Sequence, residues 1–328
     1  MKVLFIGGTG NISTSVSRLA VKRGIDLYLL NRGKRPVTIE GATTIQADIT
    51  QVDAVKAALK EHYFDAVVNW IAFTEEHIER DIELFRGKCS QYIFISSASA
   101  YQKPLTFPVI SESTPLANPY WQYSRNKIAC EERLIRAYRE EGFPSVIVRP
   151  SHTYDTILPI AVGASSTYAI PQRMLEGKPV VAHGDGTTLW TLTHSEDFAL
   201  GFLGLLGHPH SIGQAFHITS DFLITWDQIY EQIGQALGVE PNIVHIPSRF
   251  IAQYDAGTGA GLLGDKMWCV MFDNSKIKSF VPEFVATIPF HIGVRRTLDW
   301  FQADEKRMEV PPEHHKFLDD LIAAYQNR

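Results

Sequence analysis

The sequence predicts an α/β protein: a doubly wound parallel sheet with a smaller C-terminal α/β lobe. Three observations carry that prediction. Short apolar strands alternate with helical patterns through the first half of the chain, which is the rhythm of a parallel sheet covered on both faces. A glycine-rich turn, Gly7-Gly8-Thr9-Gly10-Asn11-Ile12-Ser13, falls between the first strand and the first helix. After Pro150 the rhythm changes, and Pro159, Pro171 and Pro179 punctuate a less regular stretch.

In order, residues 3–6 form the first strand, about 12–23 the first helix and 26–30 the second strand. Residues 52–62 read as helix, 65–70 as a buried strand, 75–85 as helix and 91–96 as strand. A long helix spans 119–141, with Asn118 and Pro119 suited to its N-cap and first turn, and 145–148 is a strand. Right-handed crossovers wind such a chain over both faces of the sheet. Farther on, 225–237 is a helix capped by Thr225 and stopped by Gly238. Residues 267–272 read as a strand, 292–302 as a helix, and 257–264 as a mobile glycine-rich loop. The expected division is a Rossmann-type nucleotide-binding domain over 1–155 and a mainly substrate-binding lobe over 156–328, with a strand near 213–220 returning to the first sheet.

Composition removes several classes. At about 150 residues per domain, 328 residues make roughly two domains, and 45% hydrophobic with 20% charged residues is ordinary for a globular protein. A net charge of -5 gives no global positive field for nucleic acid or anionic lipid. Cys89, Cys130 and Cys269 are odd in number and form no CxxC, which fits free thiols in a reducing compartment. Residues 3–6 are too short a run for a signal-peptide core, and no apolar stretch approaches a membrane span, so the expected location is cytoplasmic. His208, His210, His314 and His315 lack metal-ligand spacing, and no metal is expected.

The glycine turn stands where a dinucleotide fingerprint belongs. Gly7 can take a backbone angle closed to other residues, and Gly10 admits a pyrophosphate to the helix N-terminus. Ser13 occupies the place of the usual third glycine. Gly7, Thr9, Gly10, Asn11 and Ile12 are therefore assigned to the cofactor. The second strand ends Asn31-Arg32-Gly33-Lys34-Arg35, without the acidic residue that binds a ribose 2′-hydroxyl in NAD proteins. Arg32, Lys34 and Arg35 suit a 2′-phosphate instead, which favours NADP over NAD; a solvated basic loop is the alternative. Asp48 and Ile49, after the next strand, are placed to border the adenine.

Tyr123 and Lys127 share a helix face, one turn apart. A free tyrosine near pKa 10 is a poor base, and a neighbouring ammonium would stabilise its phenolate. Such a pair can move a proton to or from a substrate hydroxyl. The 91–96 strand ends in Ser96, Ser97 and Ser99, which can orient the substrate oxygen.

Together these motifs make the chain resemble an extended short-chain dehydrogenase/reductase (SDR) of the NAD-dependent epimerase/dehydratase family. The resemblance rests on GGTGNIS at 7–13, NWIAF at 69–73, FISSASAY at 94–101, YSRNK at 123–127, VRPSHTY at 148–154 and THSEDFA at 193–199. It implies Ser97 as catalytic serine, Tyr123 as acid/base and Lys127 as the residue that binds nicotinamide ribose. It implies that Ile71, Ala72, Phe73, Pro150 and His152 border the cofactor. It also implies a homodimer through helices 75–85 and 119–141.

The chain departs from the family pattern in three places. Family dehydratases and decarboxylases carry acids just after the catalytic serine or threonine; here stand Ala98 and Ser99, which speaks against both reactions. Nucleotide-sugar enzymes commonly place an arginine shortly before the THSED-like segment; here stands Trp190, and Arg295 and Arg296 either compensate or are plain surface arginines. The place often filled by asparagine holds His152. Ser99, His152 and Trp190 are the candidate substrate contacts. The resulting expectation is hydride transfer at a small, sugar-like secondary alcohol or ketone, by either an epimerase or a reductase. The alternative is an atypical relative without turnover, binding RNA as chloroplast stem-loop binding proteins do, or sensing NADP.

Overall fold

A computed structural model of the chain describes residues 1–33 and 37–328. Strands β1 (Lys2–Ile6), β2 (Asp26–Asn31), β3 (Thr43–Gln46), β4 (Ala66–Asn69) and β5 (Tyr92–Ile95) join strands Ser145–Pro150 and Ala215–Ile218 in one seven-stranded sheet. From one edge to the other the order is Ala215–Ile218, Ser145–Pro150, β5, β4, β1, β2, β3. Every neighbouring pair is parallel. The chain runs outward from β1 to β3, then returns to the other side of β1 with β4. The crevice beyond the carboxyl ends of β1 and β4 is thus the switch point at which such sheets bind ligands.

The strands are buried on both faces, so they read as apolar runs without polar alternation. Val3 and Phe5 of β1 face one core with Val16 and Ala20 of α1 (Ser13–Lys22) and with Phe198 and Phe202 of helix Ser195–Leu205. Leu4 and Ile6 face the other, with Val55 of α2 (Val52–Ala58), Ile78 and Ile82 of α3 (Glu75–Phe85), and Leu134 of α4 (Gln122–Glu141). This is the doubly wound α/β arrangement.

The chain leaves the sheet at Pro150 and enters the lobe at His152. Strand His152–Tyr154 pairs in parallel with Leu189–His194, which pairs antiparallel with Leu223–Thr225. A third core gathers Tyr154, Trp190, Trp226, Tyr230 and Leu318. Helix Trp226–Leu237 opens with a reciprocal cap between Thr225 and Gln228 and ends at Gly238 in the left-handed region.

Three local expectations are corrected. The long helix begins at Gln122, because Asn118 Oδ1 takes the N–H groups of Tyr120 and Trp121 in a turn of its own. Residues 257–264 are not a mobile loop: helix Ala256–Gly261 packs so closely on its predecessor that a Cβ at Gly259 would lie 2.4 Å from Ala252 Cα. The strand expected over 267–272 shrinks to Met271–Phe272, since Leu262–Lys266 is a wide π-type turn.

Candidate functional site

The glycine turn lies at the switch point. Gly7 has φ +83°, where a side chain is strained, and a Cβ there would sit 2.6 Å from Ile71 Cγ2. Ser13 does more than stay small. Its Oγ donates to Gly7 O at 2.9 Å and accepts from Gly10 N–H at 2.7 Å, tying the turn shut. Close packing on β2 falls to Gly8, where a Cβ would meet Leu29 Cδ2 at 2.6 Å. Helix α1 starts with no side-chain cap and no acid in its first turn, which leaves its N-terminal dipole free to favour an anion. Asn11 Nδ2 donates to Thr153 O at 3.1 Å, while its buried Oδ1 has no hydrogen-bond partner among the described residues. Thr9 is buried and Ile12 half-buried beside it. These features fit a dinucleotide.

Asn31 closes β2 and accepts from Gly33 N–H at 2.9 Å. Arg32 lies 4.0 Å from Asp48, both side chains exposed. Such a pair holds little energy, so Arg32 can turn to another anion. Lys34 and Arg35 lie outside the described residues. The Ile49 side chain points into the core that contains Val55 rather than toward the surface.

Beyond β5, Ser97 caps a short turn, Ala98–Ala100. Its Oγ lies 2.9 Å from Ser99 Oγ, which in turn accepts from Ser124 Oγ at 2.7 Å. Ser99 is buried, so it stands behind Ser97 and does not itself face open space. Tyr123 lies near Ser97, whose hydroxyl acts on its phenol. One turn on, Lys127 is buried, and its Nζ donates to Ala72 O at 2.7 Å and Ile95 O at 2.8 Å. It lies 4.6 Å from the Phe73 ring centroid and 5.8 Å from that of Tyr123. Ile71 and Phe73 are exposed around this end of the crevice.

The electrostatics differ from the expectation that Lys127 lowers the tyrosine. Burial pushes the Tyr123 phenol up, a shift the Ser97 hydroxyl only opposes. Burial also pushes the Lys127 ammonium down to about 8. The reason is geometric: the lysine donates to main-chain carbonyls and not to the phenol.

His152 is half-buried at the mouth of the lobe, and Trp190 Nε1 lies 3.1 Å from its Nδ1. An indole N–H can only donate, so Nδ1 accepts and the imidazole proton resides on Nε2. Burial, helped by the Lys266 charge, lowers the His152 pKa to about 3, so the ring is neutral at ordinary pH. Trp190 itself is 1% exposed and packs on Trp226 at 5.2 Å between centroids. It is a support for His152 and not the open substrate contact that the sequence suggested.

The turn Leu262–Lys266 forms a further wall. Asn118 Nδ2 bonds both Ser99 O at 2.8 Å and Gly264 O at 2.7 Å, tying this wall to the serine-bearing segment. Lys266 O accepts from Trp226 Nε1 at 3.1 Å and meets His183 Nε2 at 2.9 Å. The Asp265 charge acts on Tyr123. Asn118, Asp265 and Lys266 carried no signal in the sequence as site neighbours, because nothing local marks which distant loop closes over a sheet.

The model of the NAD dependent epimerase/dehydratase family matches residues 3–219, well over half of the chain. The chain belongs to that family. It is an NAD(P)-dependent oxidoreductase/epimerase of the extended SDR type. One relative of the family member is 2′-dehydrokanamycin reductase of Streptomyces kanamyceticus, 24% identical over 288 residues, covering 87% of this chain and 80% of that protein. Another is the chloroplast stem-loop binding protein of 41 kDa b of Arabidopsis thaliana, 27% identical over 259 residues, covering 74% of this chain and 65% of that protein. In fold, it matches an epimerase from Methanothermobacter thermautotrophicus at TM-score 0.75 and 17% identity, covering 94% of each chain.

Against the family pattern, the lack of an acid after Ser97 is unrelieved locally: Ala98 and Ser99 are both buried. Of the two arginines near the THSED segment, Arg296 lies 2.9 Å from Glu196 on the surface, and Arg295 is exposed on the same helix, Phe290–Gln302. Among the described residues no helix is long and apolar enough to cross a membrane.

Proposed function

We propose that the chain transfers hydride at a sugar-like secondary alcohol or ketone, with Ser97, Tyr123 and Lys127 as its machinery. The observation that carries this is the Ser97–Tyr123 pair, set beside buried Lys127 at the carboxyl end of the sheet. A bound nicotinamide dinucleotide supplies or accepts the hydride. The turn over Gly7 to Ile12 and the N-terminus of α1 would hold its pyrophosphate, and Lys127 would hold its nicotinamide-side ribose. Ser97 orients the substrate oxygen. Tyr123, kept protonated by burial, donates a proton to that oxygen in the reducing direction. His152 presents Nε2–H to a second substrate oxygen.

Reduction is favoured over epimerisation on two grounds. No arginine takes the place of Trp190 to hold a sugar diphosphate, and the relative that spans 87% of this chain is named a reductase. The retained Ser97, Tyr123 and Lys127 favour turnover over stem-loop binding. The test is nucleotide-dependent reduction of cyclic ketones and ketosugars by the purified protein. Failure to bind either NADPH or NADH, after any resident nucleotide is stripped, overturns the reading.

Arg32 favours NADP. Nicotinamide fluorescence titrations are expected to show NADPH binding more tightly than NADH. In Arg32→Ala that advantage should shrink by about tenfold, the scale of one charge-assisted contact. Equal affinities in the wild type would assign the basic stretch to solvent.

Trp190→Phe keeps the ring and removes only the donor. Both neutral tautomers of His152 then become populated, and kcat/KM is expected to fall about threefold to tenfold, the scale of one hydrogen bond. Imidazole nitrogen NMR reads the tautomer directly. An unchanged Nε2–H tautomer in the variant would remove Trp190 from this role.

A further inference from the structure

One of the two carbonyls that hold Lys127 is itself held from behind. Lys127 Nζ donates to Ala72 O at 2.7 Å, and the Ala72 carbonyl shares its peptide group with the Phe73 N–H. That N–H donates to His77 Nδ1 at 3.0 Å. The peptide is trans and planar, so its C=O and N–H point in opposite directions, and fixing one fixes the other. A single peptide group thus stands between an imidazole on α3 and the ammonium on α4. Lys127 belongs to the machinery above; His77 has had no part in it.

Helix α3 secures this segment at both ends. On the β4 side, Ile71 N–H donates to Asn69 Oδ1 at 2.8 Å, and Asn69 Nδ2 donates to Asp81. Asp81 also accepts from Tyr92 at 2.6 Å and from Arg80 at 2.8 and 3.0 Å. On the other side stands His77, half-buried in the first turn of α3. Ile71 and Phe73 are exposed, and only the Ala72 methyl between them is buried. The orientation of the 72–73 peptide therefore rests mainly on its hydrogen bonds. Burial and then the Arg80 charge, with Lys127 adding to them, hold the His77 imidazole below its usual range against the pull of Asp81 and Glu76. At neutral pH the ring is uncharged, and Nδ1 keeps the lone pair with which it accepts.

We propose that His77 is a positioning residue for Lys127: by accepting the Phe73 N–H it keeps the Ala72 carbonyl turned onto the lysine ammonium, and so holds that ammonium where it meets the nicotinamide ribose. The inference rests on the hydride-transfer reading for the last clause only. His77 acts through the peptide and not on the substrate. Without its acceptor the 72–73 peptide can turn its N–H to water, and the Ala72 oxygen turns away with it. Lys127 then keeps one of its two carbonyls, Ile95 O at 2.8 Å. A buried ammonium that has lost an acceptor gives up its proton more readily.

The test compares His77→Phe, which removes the acceptor, with His77→Asn, whose Oδ1 can stand where Nδ1 does. Carbon NMR of labelled lysine follows the Lys127 ammonium in the whole protein, its signal identified by its loss in Lys127→Met. From the wild-type value of about 8, its titration is expected to move down by about 1 in His77→Phe, the scale of one lost bond to a charged group. In His77→Asn it stays at the wild-type value. NADPH affinity, read by nicotinamide fluorescence, is expected to fall about threefold to tenfold in His77→Phe and to recover in His77→Asn. Thermal melts verify folding; if His77→Phe does not fold, His77→Ala replaces it. A Lys127 titration unmoved in His77→Phe overturns the proposal and leaves a local contact at the start of α3. So does a shift that His77→Asn fails to restore, since it follows the ring and not its acceptor. A restored lysine shift in a protein that binds neither NADPH nor NADH upholds the positioning and sinks the hydride chemistry; nucleotide binding and turnover with an unmoved lysine do the reverse.

Discussion

Tyr123→Phe is expected to cut turnover by about 10²- to 10⁴-fold, the usual contribution of a positioned acid or base, with nicotinamide binding retained. The substitution removes one oxygen. The ring keeps its neighbours, Trp121 at 4.9 Å and Phe73 at 6.4 Å between centroids, so the helix that carries Lys127 has no reason to move. Ser97 loses the phenol beside it but keeps its contact with Ser99, which Ser124 holds in turn. What disappears is the proton that must reach the substrate oxygen as hydride arrives. Binding and turnover therefore separate, as they would not in a protein whose role is only to bind nucleotide or RNA. The pH profile adds a second check. Burial holds the phenol protonated well past neutrality, whereas the Lys127 ammonium is lowered to about 8. In the reducing direction kcat/KM is expected to fall as pH rises through about 8, because the lysine then loses its charge while the phenol keeps its proton. A Tyr123→Phe protein that retains full turnover would remove Tyr123 from the mechanism.

The parts of this molecule that were legible in its sequence are those set by local rules. β1 is an apolar run, Gly7 needs a left-handed backbone angle, and Thr225 and Gly238 are a helix start and stop that any sequence context would read alike. Tyr123 and Lys127 are four apart on a helix and so share a face wherever the helix lies. The remainder depends on contacts between distant segments. Ser13 looks like a mere small residue until its hydroxyl is seen to tie Gly7 to Gly10. Asn118 has the chemistry of a helix cap, and only the arrival of Gly264 shows that its amide bonds elsewhere. Residues 257–264 are glycine-rich for packing and not for motion, since Gly259 lies against Ala252. The charge on Tyr123 was misjudged for the same reason: spacing places Lys127 on the right face, but the carbonyls of Ala72 and Ile95 decide where its ammonium points.

Glu131→Ala should be the most destabilising single change among those considered, by about 3–5 kcal/mol. Glu131 is fully buried in the middle of α4. Its carboxylate takes Arg149 Nη2 at 2.6 Å and Nε at 3.0 Å, a two-pronged bond that ties α4 to strand Ser145–Pro150. It also accepts from Ser96, the residue before Ser97. Arg149 lies over the Tyr101 ring at 4.8 Å, and Tyr101 in turn meets His217 on the edge strand at 3.0 Å. Removing the glutamate leaves a buried guanidinium with its charge unanswered, and that penalty exceeds what the pair gained by forming. Urea unfolding measures the loss, and a drop below about 1 kcal/mol would show that solvent reaches Arg149 after all. The double variant Glu131→Leu, Arg149→Met separates the two contributions. It removes both charges and keeps the volume, so much of the lost stability should return. Activity should return only in part, because Ser96 then has no carboxylate to hold it and the segment bearing Ser97 keeps only the Ser124–Ser99 tie to the helix that carries Tyr123. A double variant as unstable as Glu131→Ala would mean that the hydrogen-bond network, rather than the stranded charge, dominates the cost.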